Sequence, residues 1–323
     1  MNTISDSDQI QEIKNKIKQI ASDDIVIVAF SGGLDSTVVL NLAKQALGNR
    51  KLIAVHVDFG HYTYNATKKN VKMISRMLNI KLHVISGQTE QMNIMRGGPD
   101  CNLCTRKVKL GLIRLFAGSK LILTGSNQSD SWGQYGLDYS EGFYAPLFNY
   151  SKSEIIKIAA DLKIEIKRIG ENSIREGCKL KHLLKPLVNP MYHGEAVHCA
   201  NELLLREIHR SGLDEKIKIA NVKIIGPLNK NIALVNIFPQ PDRYWLKDVE
   251  EKIIKLKSIE ECKIIDRPIE LIVKANKGQY NNLRSRYWIE EGKLQPEFAF
   301  PIAIQWLLTT NHRLKTFQVV GYN

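Results

Sequence analysis

The sequence predicts an α/β protein in which a doubly wound parallel sheet is followed by a smaller α+β domain. Over about the first 160 residues, short apolar runs rich in β-branched residues alternate with amphipathic segments of helix length. Polar, glycine-containing segments directly follow several of these runs, at the edge where such sheets bind ligands. From residue 216 onward the alternation ends. We therefore expect one domain over 1–190, a connecting helix over 191–215 and a second domain over 216–323.

The elements of the first domain follow from this alternation. Strands are predicted at 25–30, 51–58, 82–85 and 121–124. Helices are predicted at 10–21, 38–47, 66–78, 105–116 and 151–162, the last with a capping box formed by Ser151 and Glu154. The segments 87–100 and 125–142 are predicted to be polar loops.

The second domain is expected to contain shorter elements of both kinds. Strands are predicted at 222–225, 232–237, 270–273 and 316–320. Helices are predicted at 248–256 and 301–308, and a further helix at 192–211 precedes the domain. None of these segments carries a recognisable motif.

Composition limits the classes of function. The chain has 323 residues and a formal net charge of +13 at pH 7, which favours a polyanionic partner or else reflects only a lysine-rich composition. No apolar run has the length of a membrane span and no signal peptide is recognisable, so we expect a cytoplasmic protein without a membrane partner. Five cysteines, an odd number, argue against a disulfide framework.

One stretch of the first domain suggests a specific chemistry. The predicted strand that ends at Phe30 is followed by Ser31-Gly32-Gly33-Leu34-Asp35-Ser36 and then by a helix. A helix N-terminus offers free backbone N–H groups and the positive end of the helix dipole, which both favour an anion. The two glycines allow the backbone to approach a phosphate closely, and the serines add hydroxyl donors. The alternative is an ordinary turn between a strand and a helix.

Ser-Gly-Gly-Leu-Asp-Ser resembles the pyrophosphate-binding loop of the PP-loop ATP pyrophosphatases; it is not a Walker-type loop, because no Gly-Lys-Ser/Thr follows. The resemblance implies an adenine nucleotide α-hydrolase-like fold that binds ATP and Mg²⁺, cleaves ATP between its α- and β-phosphates and adenylates a substrate oxygen. Asp35 and Asp130 are then the carboxylates expected near Mg²⁺, with a simple turn residue as the alternative for Asp130. The residues expected to bind ATP are Ala29, Phe30, Ser31, Gly32, Gly33, Asp35, Ser36, Val55, Val57, Thr124 and Gly125.

Three of the cysteines form a second candidate site. Cys101 and Cys104 make a Cys-x-x-Cys pair, and Cys178 follows later in the chain, all in segments predicted to be loops near the ligand-binding edge of the sheet. Three thiolates could hold three irons of a [4Fe–4S] cluster, form a zinc site together with His182, or pass sulfur as a persulfide. Unrelated core thiols are the remaining alternative.

The order of motifs resembles that of iron–sulfur-dependent sulfur transferases, including the enzymes that make 2-thiouridine or 2-thiocytidine in tRNA. The matching segments, over about residues 20–186, are the PP-loop, Cys101–Arg106, 124–130, Pro146-Leu147, 152–155 and Cys178. The resemblance implies that Cys101, Cys104 and Cys178 are catalytic and bind a [4Fe–4S] cluster, with tRNA and sulfide or a persulfide-donating protein as partners. Ser126 replaces the usual histidine of this group, and its flanking zinc-finger cysteines are missing.

Several alternatives remain at this stage. Arginines and lysines between 106 and 114, and the cluster Arg284, Arg286, Tyr287 and Trp288, suit RNA binding, but they also fit a solvated face with a core aromatic pair. The rival functions are an amidating ligase of the 7-deazaguanine type with structural zinc, a sulfur transferase acting on a small molecule, and a nucleotide-binding regulatory module. Assembly as a homodimer is left open.

Overall fold

The computed structural model of the protein describes residues 6–21, 24–128, 139–166 and 177–323. These residues divide into two compact units: the first lies within 1–60, 65–87 and 105–168, and the second within 61–64, 88–104 and 169–323. The domain boundaries drawn from the sequence stay a prediction. Among the described residues, no helix has the length and apolar character needed to cross a membrane.

The strands and helices have the following bounds. The strands are β1 Val26–Ala29, β2 Leu52–Asp58, β3 Lys81–Ser86, β4 Ile122–Leu123, β5 Tyr139–Ser140, β6 Phe143–Tyr144, β7 Ile219–Ile225, β8 Ile232–Phe238, β9 Glu261–Ile264, β10 Ile269–Ala275, β11 Ile302–Leu308 and β12 Phe317–Tyr322. The helices are α1 Asp6–Ile20, α2 Leu34–Leu47, α3 Asn65–Met77, α4 Gln88–Met95, α5 Cys101–Leu103, α6 Gly111–Ala117, α7 Lys152–Asp161, α8 Glu195–Arg210, α9 Arg243–Ile254, α10 Lys277–Tyr280 and α11 Leu283–Ile289.

The first unit is built on one sheet with the strand order β3-β2-β1-β4-β6-β5. All neighbours pair in parallel except β5, which runs antiparallel to β6. The chain moves from β1 outward to β2 and β3, and then returns to the other side of β1 with β4. The order of the strands therefore reverses between β1 and β4. This mostly parallel sheet with its helices confirms the predicted α/β class.

The core of the first unit holds β1 and α2 in place. Val26 and Val28 of β1 pack in one buried cluster with apolar residues of α1, α2 and α7, among them Ile17, Val38 and Ile155. The apolar residues of α2 recur three or four positions apart, so they lie on the helix face that contacts the sheet. The predicted capping box of Ser151 and Glu154 is confirmed, and α7 consequently begins at Lys152.

The second unit contains two small sheets with the orders β7-β8-β9 and β11-β10-β12, together with α8, α9 and shorter helices, as predicted for an α+β domain. Helix α8 packs on β7. The buried side chain of Asn201 connects them: its amide donates to the Val222 carbonyl at 3.0 Å and its oxygen accepts from the Val222 N–H at 2.9 Å. A buried amide that is satisfied in this way fixes the position of the helix on the strand.

Some local predictions are wrong. The segment 301–308, predicted to be a helix, is strand β11 and pairs in parallel with β10. Its nearly continuous apolar run fits a strand as well as a buried helix, so periodicity alone does not decide between them. The segment 87–100, predicted to be a loop, contains α4, which buries only Gln91 and Met95. Because one of its two buried residues is polar, the segment lacks the apolar periodicity from which a helix is predicted.

Further differences between the prediction and the structure concern short strands and the segment around Cys101 and Cys104. The described part of the predicted loop 125–142 includes strand β5. Strands β6 and β9 were not predicted. The predicted helix 105–116 consists of a π-helical segment, Cys104–Leu110, followed by α6. Cys101 begins α5 and Cys104 begins the π-helical segment, so these two cysteines do not lie in a loop. Cys178 precedes a short 3-10 helix, Lys179–His182.

Candidate functional site

The candidate nucleotide site of the first unit lies at the carboxyl ends of β1 and β4, where the strand order reverses. Ligands of doubly wound sheets bind at this kind of position. The turn that follows β1 leads into α2, and Gly125 follows β4. A Cβ atom at Gly125 would lie 2.9 Å from the backbone nitrogen of Ser36, so the two loops approach each other through their backbones. This approach is open only to glycine.

Gly32 is required by both conformation and space. Its φ of +78° lies in the left-handed region, and a Cβ atom there would lie 2.8 Å from Cγ2 of Val71. The helix that follows has Gly33 as its N-cap, with no side-chain cap. The first N–H groups of α2 are therefore left without a side-chain cap, which is the arrangement that suits an anion.

Hydroxyl groups close the turn on itself. Ser36 Oγ lies 3.0 Å from Ser31 Oγ and accepts from the backbone N–H of Ser31 at 3.2 Å. Thr37 Oγ1 donates to the Gly33 carbonyl at 2.8 Å. These bonds hold the turn in a fixed shape, so the hydroxyl groups of the two serines are positioned at the start of α2.

Asp35 is held by residues from two other segments of the first unit. Its Oδ1 accepts from Lys152 Nζ at 2.5 Å, and its Oδ2 accepts from Asn127 Nδ2 at 3.0 Å. Asp35 is on α2, Asn127 is in the loop after β4, and Lys152 is the first residue of α7. The sequence interpretation chose Asp35 but gave the other two no role; their signal was their place in the motifs at 124–130 and 152–155. Asp130, the second predicted carboxylate, lies outside the described residues.

Four of the positions predicted to bind ATP, Ala29, Phe30, Val55 and Val57, lie in or next to β1 and β2. Ala29 is half-buried, whereas the side chains of Phe30, Val55 and Val57 are in the core. Contacts of those three residues with a nucleotide would therefore involve the backbone. Thr124, predicted to bind ATP, is buried and donates to Ser126 Oγ at 3.4 Å.

His56, on β2, is a candidate that the sequence interpretation missed. Its Nδ1 lies 2.9 Å from the carbonyl oxygen of Phe30, the residue before the glycine turn. Because a carbonyl can only accept, Nδ1 carries the proton, and the buried Nε2 has no hydrogen-bond partner in the described part of the chain. Desolvation lowers the pKa of His56, against a smaller opposing contribution from the bond to Phe30. The ring is thus neutral and supports the backbone of the turn.

The cysteine cluster, Cys101, Cys104 and Cys178, lies within the second unit. The buried Gln91 of α4 donates its Nε2 to Cys104 Sγ at 3.6 Å and to Cys178 Sγ at 3.2 Å. Two sulfurs that are far apart in the sequence therefore meet at one amide nitrogen. Gln91 Oε1 is buried and has no hydrogen-bond partner among the described residues.

Cys101 shares this neighbourhood, although the residue as a whole is exposed. The pKa of its thiol is raised, first by desolvation and then by the Cys178 thiol, whereas Lys293 and Lys181 act to lower it. The net effect is upward, so in the absence of a bound group the thiol of Cys101 stays protonated more readily than a free cysteine. Taken over the described residues, no three His, Cys, Asp or Glu side chains form a group arranged to hold a metal ion.

His182, the fourth ligand considered for a zinc site, is used elsewhere. Its Nδ1 accepts from Lys223 Nζ at 2.8 Å, and its Nε2 lies 2.9 Å from the hydroxyl group of Tyr64. Both ring nitrogens are therefore engaged within the second unit, and the side chain is fully buried. This removes the residue on which the zinc alternative depended.

The basic residues predicted to face RNA differ in their surroundings. Arg114 donates to the carbonyl groups of Gly118, Lys120 and Glu141 in the first unit, so it stabilises the fold. In the second unit, Tyr287 on α11 is 71% exposed, which argues against an aromatic core pair there.

Comparison with known proteins gives one family match and several similar proteins. Residues 5–133 match the family model described as a PP-loop domain. The NH3-dependent NAD+ synthetase of Pyrococcus furiosus is 28% identical over 153 residues, which make up 44% of this chain and 58% of that protein. The glutamine-hydrolysing GMP synthase of Aliivibrio salmonicida is 33% identical over 148 residues, or 46% of this chain and 28% of that protein. The match thus spans less than two thirds of either relative.

Among solved structures, the NH3-dependent NAD synthetase of Campylobacter jejuni, in complex with the nitrate ion, matches 50% of this chain and 75% of its own chain. The sequence identity is 20% and the TM-score is 0.42.

Substitution of Gly32 by alanine should destabilise the first unit. A left-handed φ costs a non-glycine residue about 1–2 kcal/mol, and the contact with Val71 adds to this cost. Gly212→Ala is the control, because Gly212 has a φ of +62° at the end of α8 with open space around its Cβ position. Urea unfolding should give a larger loss of the free energy of unfolding for Gly32→Ala than for Gly212→Ala. Equal losses would show that the packing against Val71 is unimportant.

Acidification should lower the free energy of unfolding, because the buried ring of His56 resists protonation. In the unfolded chain the imidazole of His56 takes up a proton near pH 6.5, whereas its pKa in the folded protein is lower. The stability gained by burying the neutral ring is therefore lost as the pH falls below about 6.5. His56→Asn keeps a donor for the Phe30 carbonyl without a titrating ring. The free-energy advantage of the wild type over His56→Asn should therefore shrink from pH 7.5 to pH 5.5 in urea titrations. A difference between the wild type and His56→Asn that stays constant with pH would contradict the argument.

Proposed function

We propose, from the match of residues 5–133 to the PP-loop family model, that the protein is an ATP-dependent enzyme that adenylates a substrate oxygen and then replaces it with sulfur. One observation carries the sulfur part of the proposal: the thiols of Cys104 and Cys178 converge on the amide of Gln91. A chain that supplies both a phosphate-binding turn and converging thiols has the groups that both steps need.

The nucleotide would be held by the turn between β1 and α2. The uncapped N–H groups at the start of α2 and the serine hydroxyls suit the phosphates of ATP. Asp35 would hold Mg²⁺, which would neutralise phosphate charge. Lys152, now paired with Asp35, would then be free to offset the charge of the phosphates.

The first step joins the substrate oxygen to the α-phosphorus of ATP and releases pyrophosphate. The turn and Lys152 contribute by orienting the phosphates and by stabilising the charge that develops on them. In the second step a sulfur nucleophile attacks the activated carbon, and AMP leaves with the former substrate oxygen. Adenylation is needed because an unmodified carbonyl oxygen is a poor leaving group.

The sulfur would come through Cys101, Cys104 and Cys178, which we propose as the ligands of a [4Fe–4S] cluster. Such a cluster, when bound, would supply an iron with an open position for a sulfur species. The arrangement of the thiols is the basis for this proposal: Gln91 Nε2 contacts the sulfurs of Cys104 and Cys178, and the thiol of Cys101 interacts electrostatically with that of Cys178. Gln91 would donate a hydrogen bond to two of the sulfurs, a contact that tunes the potential of such clusters.

The proposed substrate is a tRNA base carbonyl. The net charge of +13 supports a polyanionic partner. Helix α11 exposes Arg284 together with Tyr287, a combination suited to phosphate contact and base stacking. Sulfide would supply the sulfur directly, and a persulfide-donating protein would supply it together with a second thiol that reduces the outer sulfur and ends in a disulfide.

A second candidate is an amidating ligase, in which ammonia displaces AMP. It is favoured by the two relatives, an NH3-dependent NAD+ synthetase and a glutamine-hydrolysing GMP synthase. The two candidates share the adenylation step and differ in the nucleophile. Whether the cysteine cluster binds iron and sulfide therefore distinguishes the sulfur transferase from the amidating ligase.

Anaerobic purification and reconstitution with iron and sulfide test the cluster. The wild type should become brown and bind iron and acid-labile sulfide, and it should form thionucleosides when given ATP, sulfide and total tRNA, as measured by mass spectrometry of the digested RNA. Cys104→Ser and Cys178→Ser should lose most of the iron. Cys262→Ser, on strand β9 and outside the cluster, should retain it. A colourless wild type that forms AMP only with ammonium would favour the amidating ligase.

Formation of AMP and pyrophosphate from ATP tests the first step. Asp35→Asn removes the carboxylate that Lys152 and Asn127 hold, and the rate should fall by about a hundredfold. Asp58→Asn is the control, because Asp58 ends the neighbouring strand β2 and pairs with Lys68 at 3.4 Å. Retention of the rate by Asp35→Asn, or release of ADP by the wild type, would overturn the proposed adenylation.

A further inference from the structure

A cavity in the second unit is separate from both candidate sites. It has a volume of about 410 Å³, within the range of small-ligand pockets. Arg96 and Arg313 line it together with Asn311 and an apolar wall. The residues of that wall are Pro186, Val188, Leu228 and Leu314. A pocket that combines two guanidinium groups with apolar walls suits a ligand that has an anionic end and a flat, apolar body.

Backbone contacts bring the two arginines together. The N–H of Lys315 donates to the Gly97 carbonyl at 2.7 Å, so the segment after Arg96 runs against the segment after Arg313. A Cβ atom at Gly98 would lie 2.3 Å from Thr316 Oγ1, and the φ of Gly98 is +112°. The glycine pair is therefore what permits this close approach, and it gives the Gly-Gly-Pro segment at 97–99 a structural reason.

A third segment completes the cavity. The N–H of Leu187 donates to the Met95 carbonyl at 2.9 Å, which places Pro186 and Val188 beside the end of α4. The side chain of Asn311 accepts from the N–H of Arg313 at 3.0 Å and fixes the turn that presents this arginine. The cavity is thus built by hydrogen bonds between chain segments, and its shape does not depend on surface side chains alone.

The charge of the cavity is not balanced by the protein. Over the described part of the chain, neither guanidinium group has a hydrogen bond or an ion pair with an acidic side chain. Both arginines are exposed, and His312 and Lys315 beside Arg313 are exposed as well. Two unpaired guanidinium groups at one cavity favour a phosphate, which they can bind with several N–H donors.

We infer that this cavity binds one nucleotide of a single-stranded RNA segment, with its phosphate on Arg96 and Arg313. The base packs against the apolar wall formed in part by Val188 and Leu228, and the amide of Asn311 can meet its polar edge. This inference rests on the proposed RNA substrate, but it assigns a docking position that shares no residue with either candidate site. It gives the second unit a role in holding an unpaired part of the RNA.

Binding of a short, fluorescently labelled, single-stranded RNA tests this inference by anisotropy at low salt. The double variant Arg96→Gln/Arg313→Gln should weaken binding by about tenfold or more, because charge-assisted contacts to phosphate are lost. The control is Arg50→Gln/Arg76→Gln, which removes the same charge from exposed arginines of the first unit. Val188→Asp, which leaves both arginines in place, should also weaken binding by repelling the phosphate.

The outcomes separate this inference from the proposed function. Equal loss in the cavity variant and in the control would mean that only net charge matters, and the inference would fail while the RNA substrate stood. An abasic ribose-phosphate probe that binds as tightly as RNA would overturn the role of the apolar wall. If the wild type does not bind the RNA at low salt, both the inference and the proposed RNA substrate are wrong.

Discussion

The close backbone approach between Gly125 and the start of α2 is the constraint on which the nucleotide site depends. It joins the loops after β1 and β4, at the point where the strand order reverses. With these loops in contact, Asn127 reaches Asp35 from one side, and Lys152 reaches it from the start of α7. A side chain at Gly125 would separate the loops and dismantle this arrangement. The parallel sheet supplies the meeting point, because the carboxyl ends of its strands lie at one edge.

The second unit has its own organising feature, a set of buried charges next to the cysteine cluster. Desolvation alone would raise the pKa of Glu297, but Lys223 and Lys181 outweigh it and hold that pKa well below its usual range. Glu297 thereby stays ionised and balances the two lysines, while Lys223 also binds His182. The network engages both ring nitrogens of His182, through Lys223 and the hydroxyl group of Tyr64. His182 is therefore not available as a ligand beside the cysteines.

These features divide the proposed reaction between two parts of the chain. In the proposal, the first unit would bind the phosphates and carry out adenylation, and the second would supply sulfur and, through α11 and the cavity at Arg96 and Arg313, contacts for RNA. The two relatives likewise match only part of this chain, 44% and 46% of its length, and the match to the PP-loop family model covers residues 5–133.

The sequence by itself determined the glycine turn, the alternation of strands and helices, and the capping box at Ser151, because these depend on local conformation and on periodicity. It did not determine β11, whose apolar run fits a helix or a strand until β10 provides a partner. It also missed Gln91, His56 and Lys152, since their roles arise only when residues distant in the chain meet. The tertiary structure decided those contacts, and it decided that His182 belongs to a buried hydrogen-bond network and not to the cysteines.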